Sequence, residues 1–182
     1  MAHAYNLKEF QESLARRLRE AHAAPMPDSR LAVTCGRRQW LLRLDQVGEI
    51  LPLSVTGGRI TPVPLTQPWY AGLANVRGKL VSVADLGLFA GEEPIVLTPT
   101  ARIVLVAERY QFHCALLVER MVGLRNRARF TEAGVTDLPD GPAWQGSRLR
   151  DSDGGLWQEL DVGVLINDET FRHAGLPVPA GA

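Results

Sequence analysis

The residue types that most often carry chemistry are few in this chain and do not cluster. Cys35 and Cys114 lie 79 residues apart without a CxxC pattern, and none of the four histidines has metal-ligand spacing: His3, His22, His113 and His173. No GxSxG or GxxxxGK[ST] motif is present, and no GxGxxG motif opens a helix. We therefore expect no catalytic residues, no metal and no cofactor, and we expect both cysteines to be buried thiols.

Three arginines alternate with other residues in the segment RNRARF, at Arg125, Arg127 and Arg129. On a β-strand this spacing would place all three guanidinium groups on one face. Such a face is either solvated or a patch that contacts an acidic partner or a phosphate, and the sequence leaves both interpretations open.

The segment WYAGLANVRGKLVSVADL, residues 69–86, predicts a strand-turn-strand hairpin. On its first strand Asn75 and Arg77 would share one side, while Ala74 and Val76 would share the other. Gly78 supplies the permissive backbone that a tight turn needs. The hairpin would thus pack with one side and display an amide and a guanidinium on the other, as ordinary surface groups or as contacts for a partner.

Charge and composition narrow the class of partner. The chain has 182 residues, with 20 basic and 20 acidic side chains, 46% hydrophobic residues and 22% charged residues. Zero net charge gives no field that would concentrate nucleic acid, and the hydrophobic content is that of a folded globular protein. With neither the apolar core of a secretory signal nor a run of about 20 apolar residues, we expect a cytoplasmic protein without membrane insertion.

The elements that must position the hairpin are mostly strands. From residue 31 onward, short runs rich in valine, leucine and isoleucine alternate with glycine, proline and aspartate, which predicts a mainly β body. A helix is expected at residues 6–24, either packed on its own domain or docked on a partner. A second short helix is expected near the C-terminus, with Asn167 as its candidate cap. The first helix is predicted by apolar residues at three- and four-residue steps: Leu7, Phe10, Leu14, Leu18 and Ala21.

The sequence also contains an internal repeat. Residues 35–50 can be laid over residues 107–124, and residues 69–89 over residues 144–166, with all offsets between 72 and 76 residues. A consistent offset favours a duplication. A unit of about 75 residues buries little of its own surface, so we expect two small β-barrels packed on each other. The matched pairs include Trp40 with Phe112, Trp69 with Trp144, Gly72 with Gly146 and Asp85 with Asp161.

These segments resemble the CheW-like adaptor domains of bacterial chemosensory systems. The resemblance is carried by QVGEIL (46–51), ITPVPLTQP (60–68), WYAGLANVRG (69–78) and KLVSVADL (79–86), with a weaker second unit at 146–161. It implies a mainly β fold of two SH3-like five-stranded β-barrel subdomains packed together, with an N-terminal helix and a short C-terminal helix. The implied division is a helix and linker at 1–30, the CheW-like domain at 31–168, and a short helix and tail at 169–182.

The resemblance also implies a function. It implies a non-enzymatic scaffold that couples the cytoplasmic tip of a methyl-accepting chemoreceptor to the regulatory domain of a CheA-type histidine kinase. The N-terminal helix and the tryptophan-bearing segment resemble the type IV pilus branch of the family, the PilI-like adaptors of twitching motility. Glu49 and Arg77 look like the paired acid and arginine of the family. The positions that match family residues at or near partner contacts are Val47, Glu49, Gly72, Asn75, Arg77 and Gly78.

Two other functions compete with this interpretation. A small-molecule-binding β-barrel that used the cleft between barrels would need polar groups that converge on a pocket, and the sequence shows no such spacing. A module that binds single-stranded nucleic acid would need basic residues interleaved with exposed aromatic residues, and it would be disfavoured by a net charge of zero.

Overall fold

The computed structural model describes residues 28–133 and 141–176. The helix predicted at residues 6–24 and the tail after residue 176 lie outside the described residues. The body consists mainly of strands, as predicted. The strands are β1 (Ser29–Cys35), β2 (Arg38–Arg43), β3 (Val47–Pro52), β4 (Tyr70–Val76), β5 (Lys79–Asp85), β6 (Arg102–Val106), β7 (Cys114–Val118), β8 (Arg120–Asn126), β9 (Thr131–Glu132), β10 (Gln145–Arg150) and β11 (Leu156–Leu160).

The described residues contain three short α-helices, of which the first two each follow a strand. They are α1 (Leu86–Phe89), α2 (Val162–Leu165) and α3 (Glu169–Arg172). The C-terminal helix predicted from the sequence is therefore present as the single turn α3. Its cap is Asp168, whose carboxylate accepts a hydrogen bond from the Phe171 N–H at 3.1 Å. Asn167, the residue that the sequence suggested as the cap, instead donates its side-chain amide to the carbonyl of Gly163 at 2.8 Å.

The strands form two sheets. One has the order β8-β1-β2-β11-β10-β9 and the other the order β3-β6-β7-β5-β4. The first sheet has six strands rather than the five expected, because the two-residue strand β9 pairs with β10. Within the described residues, the last strand of neither sheet pairs with the first strand of that sheet. The closure of each sheet into a barrel therefore stays a prediction.

Each sheet combines strands from the two halves of the sequence. The first sheet contains β1 and β2 from the first half together with β8, β9, β10 and β11 from the second half. The second sheet contains β3, β4 and β5 from the first half together with β6 and β7 from the second half. In both sheets the join between the halves includes one parallel pair, β2 with β11 and β5 with β7, while the other pairs are antiparallel. The boundary between the sheets therefore does not follow the boundary between the sequence halves.

The pairing register corrects one match of the sequence repeat. Cys114 lies opposite Ser82 on β5, and Trp40 lies opposite Gln158 on β11, at the same place in the other sheet. The counterpart of Trp40 is thus Cys114, whereas Phe112 precedes β7. The sequence match was wrong by two residues because it paired the two aromatic residues by type, whereas register is set by strand pairing.

The central strands of both sheets are buried on two faces, which explains their nearly continuous apolar runs. On β2, Trp40 and Leu42 face a core shared between the sheets, while Leu41 faces a smaller core of its own sheet. On β7, Leu116 faces the shared core and Ala115 the small core of the second sheet. Three apolar cores therefore hold the two sheets and their junction together.

Aromatic side chains link the two sheets across the shared core. Trp40 packs against Trp144 with ring centroids 5.8 Å apart, and Phe89 contacts Trp144 at 5.3 Å. Trp69 stacks on Phe171 of α3 at 5.3 Å. Such rings bury large apolar areas, so they anchor the C-terminal turn to the junction of the sheets.

Cys35 and Cys114 are both buried free thiols, which confirms the prediction made from their spacing. Across residues 28–133 and 141–176, no helix has the length and apolar content needed to cross a membrane.

Candidate functional site

The predicted hairpin is present, and its turn is built from Arg77 and Gly78. Val76 and Lys79 are the last paired residues, so the turn contains two residues only. Both have positive φ, +52° for Arg77 and +84° for Gly78. Positive φ at both central positions defines the type I′ turn, whose twist matches that of the flanking strands. The tip of the hairpin is therefore held in one defined conformation.

The side chain of Asn75 stabilises this turn. Its carboxamide oxygen accepts a hydrogen bond from the backbone N–H of Gly78 at 2.8 Å. The oxygen is thus used inside the hairpin, while the side chain is exposed on the outward side as predicted, and its contact with a partner stays a prediction. Ala74 and Val76 point into the cores, as predicted from the alternation of the strand.

Arg77 forms an ion pair with Glu49 of β3, with 2.7 Å between Arg77 Nη1 and Glu49 Oε1. The side chains remain exposed, 65% for Arg77 and 52% for Glu49. Strands β3 and β4 lie at opposite ends of the second sheet, yet both contribute to its small core, through Leu51 and Val76. The sheet is therefore strongly curled, and this curl brings the acid and the arginine together.

The energetics of Arg77 are unfavourable for a purely structural residue. A non-glycine residue in the left-handed region costs about 1 kcal/mol or more. An exposed ion pair stabilises the fold by only about 0 to 1 kcal/mol. Asparagine, aspartate or glycine would suit the first position of a type I′ turn better. Fold stability therefore does not explain the presence of arginine at this position.

Gly72 and Val47 act in the interior rather than at the surface. Gly72 is buried with φ of +133°, and a Cβ atom there would collide with the carbonyl group of Thr61. This close approach allows Thr61 and Leu73 to exchange backbone hydrogen bonds at 2.7 and 2.8 Å. Val47 is half-buried and packs against the shared core. Of the six predicted positions, these two shape the surface from beneath.

A groove of about 370 Å³ runs beside the hairpin. Its lining includes the apolar side chains of Val81, Leu105 and Phe112, and Lys79 and Glu108 pair at its border with 3.4 Å between Nζ and Oε1. Next to Lys79, Leu80 projects from the hairpin and is 64% exposed. The hairpin that carries Arg77 at its turn thus also presents apolar side chains, a combination typical of protein–protein contacts.

The sequence did not predict a polar junction between the two sheets. Buried Gln46 donates its side-chain amide to Asp161 Oδ1 at 2.9 Å and accepts a hydrogen bond from the Val162 N–H at 3.0 Å. Its backbone carbonyl accepts from the Ala107 N–H at 3.1 Å. Gln46 directly precedes β3, so it ties the strand of Glu49 to the first turn of α2. A glutamine beside Val47 gives no local signal of partners more than 100 residues away.

A second polar cluster lies on the surface beside this junction. Arg43 donates two hydrogen bonds to Asp45, at 3.0 and 3.1 Å, and Arg109 donates a third at 3.1 Å. The hydrogen bonds from Arg43, and then those from Arg109, lower the pKa of Asp45 to about 2. The cluster is thus a structural ion network, and its carboxylate stays ionised at neutral pH.

The arginine series at 125, 127 and 129 does not form one strand face. β8 ends at Asn126, whose side chain caps a 3-10 turn at Arg127–Arg129 by accepting from the Ala128 N–H. Arg127 turns inward and pairs with Glu132 and Glu159, at 2.6 and 3.3 Å. The expectation of three aligned guanidinium groups was wrong, because the strand ends inside the series.

Acid–base and metal chemistry have little support in this surface. Among the described residues no group of three His, Cys, Asp or Glu side chains could hold a metal ion. The Arg77–Glu49 pair is more than half exposed, so water reaches both charged groups. The arrangement is suited to binding by shape and charge.

Comparison with known proteins gives a family match and two relatives. A family model described as "CheW-like domain" matches residues 30–170. Over 91 residues the chain is 34% identical to "Protein PilI" of Pseudomonas aeruginosa. This alignment covers 50% of this chain and 48% of that protein. The chain thus spans about half the length of this relative. Over 118 residues it is 25% identical to "Chemotaxis protein CheW" of Thermotoga maritima, covering 63% of this chain and 74% of that protein.

A solved structure shares the fold. The chain aligns with the crystal structure of the scaffolding protein TtCheW from Thermoanaerobacter tengcongensis with a TM-score of 0.57 and 19% sequence identity. The alignment covers 74% of this chain and 89% of that one. At this identity the likeness concerns the fold alone.

Proposed function

The chain belongs to the CheW-like domain family, as its motifs predict, and we propose that it is a non-enzymatic adaptor between a CheA-type histidine kinase and a chemoreceptor. In this proposal it binds the regulatory domain of the kinase and the cytoplasmic tip of a methyl-accepting receptor. It transmits signals by holding two protein interfaces in a defined geometry, and it acts in the cytoplasm, where both partner surfaces lie.

The observation that carries the proposal is the exposed arginine at a turn position that disfavours it. Arg77 has φ of +52° and forms an ion pair that is more than half exposed. Since the pair adds little to stability, the arginine is better explained by a partner that it contacts. Glu49 then orients the guanidinium before binding, which lowers the entropy lost on docking.

The neighbouring groove supports a protein partner rather than a small ligand. Leu80 and the apolar lining beside Lys79 would be covered by a docked domain, with Arg77 and Glu49 at the border of the contact. A stable contact of this kind buries on the order of 1,000 Å² or more, which is more surface area than the hairpin alone can offer. We therefore include β3 and the outer face of the hairpin in the proposed interface.

The similarity to PilI favours the type IV pilus branch. We propose that the kinase and receptor are those of a twitching-motility pathway, with swimming chemotaxis as the alternative within the same family. We further propose that the two curled sheets are the two SH3-like barrels of the family. Glu49 on β3 contacts Arg77 in the turn after β4, although β3 and β4 lie at opposite ends of the same sheet, and this contact supports such curling.

A binding experiment with two substitutions tests the proposal. Arg77→Asn places a residue suited to the type I′ turn at the same position, so thermal stability should stay equal or rise slightly. Binding to the purified regulatory domain of the kinase should weaken roughly 10-fold or more, as expected for an interface anchor. The matched control is Arg148→Asn on β10, an exposed arginine that donates to Gln158 at 3.2 Å.

The control should bind the kinase domain as the wild type does. Equal affinity of the Arg77→Asn variant and the wild type, for both the kinase domain and a receptor-tip fragment, would remove Arg77 from the interface. Failure of the wild-type protein to co-elute with any CheA-type regulatory domain would count against the adaptor function as a whole.

A further inference from the structure

A second cavity adjoins the groove beside the hairpin and opens between the hairpin, the loop at residues 61–68 and the turn α3. Its volume is about 310 Å³. We call it the Trp69 pocket. This volume is at the lower end of the range of about 300 to 1,000 Å³ for small-molecule sites, which are mostly lined by apolar and aromatic groups. The aromatic rings in its lining are those of Trp69, Tyr70, Phe112 and Phe171.

Backbone hydrogen bonds hold the walls of the Trp69 pocket in place. The Gln67 N–H donates to the carbonyl of Ala174 at 2.7 Å, and the Leu176 N–H donates to the carbonyl of Leu65 at 2.8 Å. Leu65 has φ of +57°, a conformation that leucine rarely adopts, so the loop does not take this shape by local preference. The loop is instead fixed by the segment that follows α3. The cavity is therefore preformed, as small-molecule sites usually are.

The polar groups in the Trp69 pocket are few. The Tyr70 hydroxyl donates to Ser82 Oγ at 3.1 Å, which leaves the Ser82 hydroxyl hydrogen for a ligand. Arg172 is the charged residue of the lining, and within residues 28–133 and 141–176 no carboxylate pairs with its guanidinium. In the neighbouring groove, by contrast, Lys79 and Glu108 pair with each other. The Trp69 pocket thus combines an aromatic surface with an uncompensated positive charge.

We propose that the Trp69 pocket binds a small aromatic carboxylate. The ring of the ligand lies among the aromatic side chains, where ring–ring contacts add to the burial of apolar area. Its carboxylate accepts hydrogen bonds from Arg172 and Ser82, and bonds between two charged groups are stronger than those between neutral ones. This binding goes beyond the adaptor function and does not depend on it.

The single charge decides the class of ligand. An uncharged apolar molecule would fit among the rings but would leave Arg172 unused. A nucleotide carries several negative charges, whereas the lining offers one guanidinium and three hydroxyl groups. A monoanion with a short aromatic body matches both the charge and the volume of the pocket.

An amide NMR titration of the full chain with benzoate tests this binding. Benzoate should shift the backbone amide signals of Thr66, Tyr70 and Ala174 and the indole signal of Trp69, and the shifts should saturate. Benzamide has the same shape without the charge. It should bind roughly 3- to 5-fold more weakly, as expected for the loss of an exposed ion pair.

Three variants locate the site. Arg172→Gln should bind benzoate and benzamide equally. The matched control is Arg120→Gln, which removes an exposed arginine of β8 outside the pocket and should keep the wild-type preference for benzoate. Ala174→Phe places a ring in the pocket and should abolish the binding of both probes. A dispersed amide spectrum shows that each variant is folded.

The absence of saturable shifts with benzoate in the wild type overturns the proposal. So does equal affinity of the wild type for benzoate and benzamide, or wild-type affinity for benzoate in Ala174→Phe. Shifts of the same signals on addition of a kinase regulatory domain, without any on addition of benzoate, would assign the pocket to a protein partner and overturn it as well.

Discussion

Asp85 and Asp161 occupy equivalent corners of the fold, 76 residues apart in the sequence. The backbone N–H of Asp85 donates to the carbonyl of Trp69 at 2.7 Å, and that of Asp161 donates to the carbonyl of Trp144 at 2.9 Å. Each carboxylate also caps the helix that follows it. The tryptophan and aspartate matches found in the sequence thus correspond to the same strand-to-helix corner in both sheets.

Alanine at these two corners should cost different amounts. Asp85 is buried and accepts from the N–H groups of both Leu88 and Ile95, at 3.0 and 2.9 Å. Loss of the cap costs about 1 kcal/mol, and an unpaired buried N–H adds about 1 to 3 kcal/mol. Asp161 is half-buried, and besides the Val164 N–H its carboxylate accepts from the Gln46 side-chain amide, which can rotate to another partner, whereas the Ile95 N–H is fixed in the backbone. We expect Asp85→Ala to lower the free energy of unfolding more than Asp161→Ala in urea titrations; an equal loss would contradict the assigned roles.

Gly72→Ala should be strongly destabilising. The new methyl group would collide with the Thr61 carbonyl, and the backbone has positive φ, so both strain and displacement contribute. We expect a loss of about 3 kcal/mol or more, compared with about 1 kcal/mol for strain alone. The control is Gly57→Ala, where φ is +69° but no atom lies within 4 Å of the added carbon. Thermal unfolding of both variants measures the difference, and similar melting temperatures would refute it.

The ion network at Asp45 should stabilise the fold only above acidic pH. The hydrogen bonds from Arg43 and Arg109 lower the pKa of Asp45 from 3.8 to about 2 in the folded state. Its contribution is therefore complete above pH 3.8 and is lost as the pH falls toward 2. Because the side chain is about half exposed, we expect at most about 1 kcal/mol. The difference in unfolding free energy between the wild type and Asp45→Asn should shrink from pH 6 to pH 2, and a constant difference would disprove the linkage.

Both thiols should be unreactive in the native protein. Burial raises the pKa of Cys35 and of Cys114 to about 12, so the reactive thiolate is scarce near pH 8. We expect no reaction with a disulfide reagent such as Ellman's reagent in buffer, and reaction of two thiols per chain in concentrated urea. Rapid native labelling of either cysteine would show that its strand opens readily, and a Cys114→Ala variant identifies which one reacts.

Local signals predicted much of the candidate site. The apolar alternation around Asn75 and the glycine at 78 were enough to predict the hairpin and its inward-facing side. The same signals did not predict that the exposed Asn75 side chain also stabilises the turn. That hydrogen bond depends on the distance between the Asn75 oxygen and the Gly78 N–H, which is 2.8 Å in the folded hairpin.

Misses occurred where a side chain has a distant partner or where two neighbours compete. Asn167 and Asp168 are both good helix caps, and the packing of Phe171 in the shared core places the helix start after Asp168. Arg127 belongs to an alternating series in the sequence, yet its partner Glu159 lies 32 residues away. Propensity and spacing contain no information on such pairs, because tertiary packing brings them together.

Composition and spacing alone predicted the mainly β character, the hairpin, the matched tryptophan–aspartate corners and the burial of both cysteines. Each of these depends on neighbouring residues or on simple apolar periodicity. Three-dimensional packing sets which strands pair across the sequence halves, and it brings Glu49 of β3 to Arg77 at the other end of the same sheet order. The reason is physical: strand register and sheet curl arise from hydrogen bonds and core contacts between distant segments, and no short stretch of sequence contains both partners.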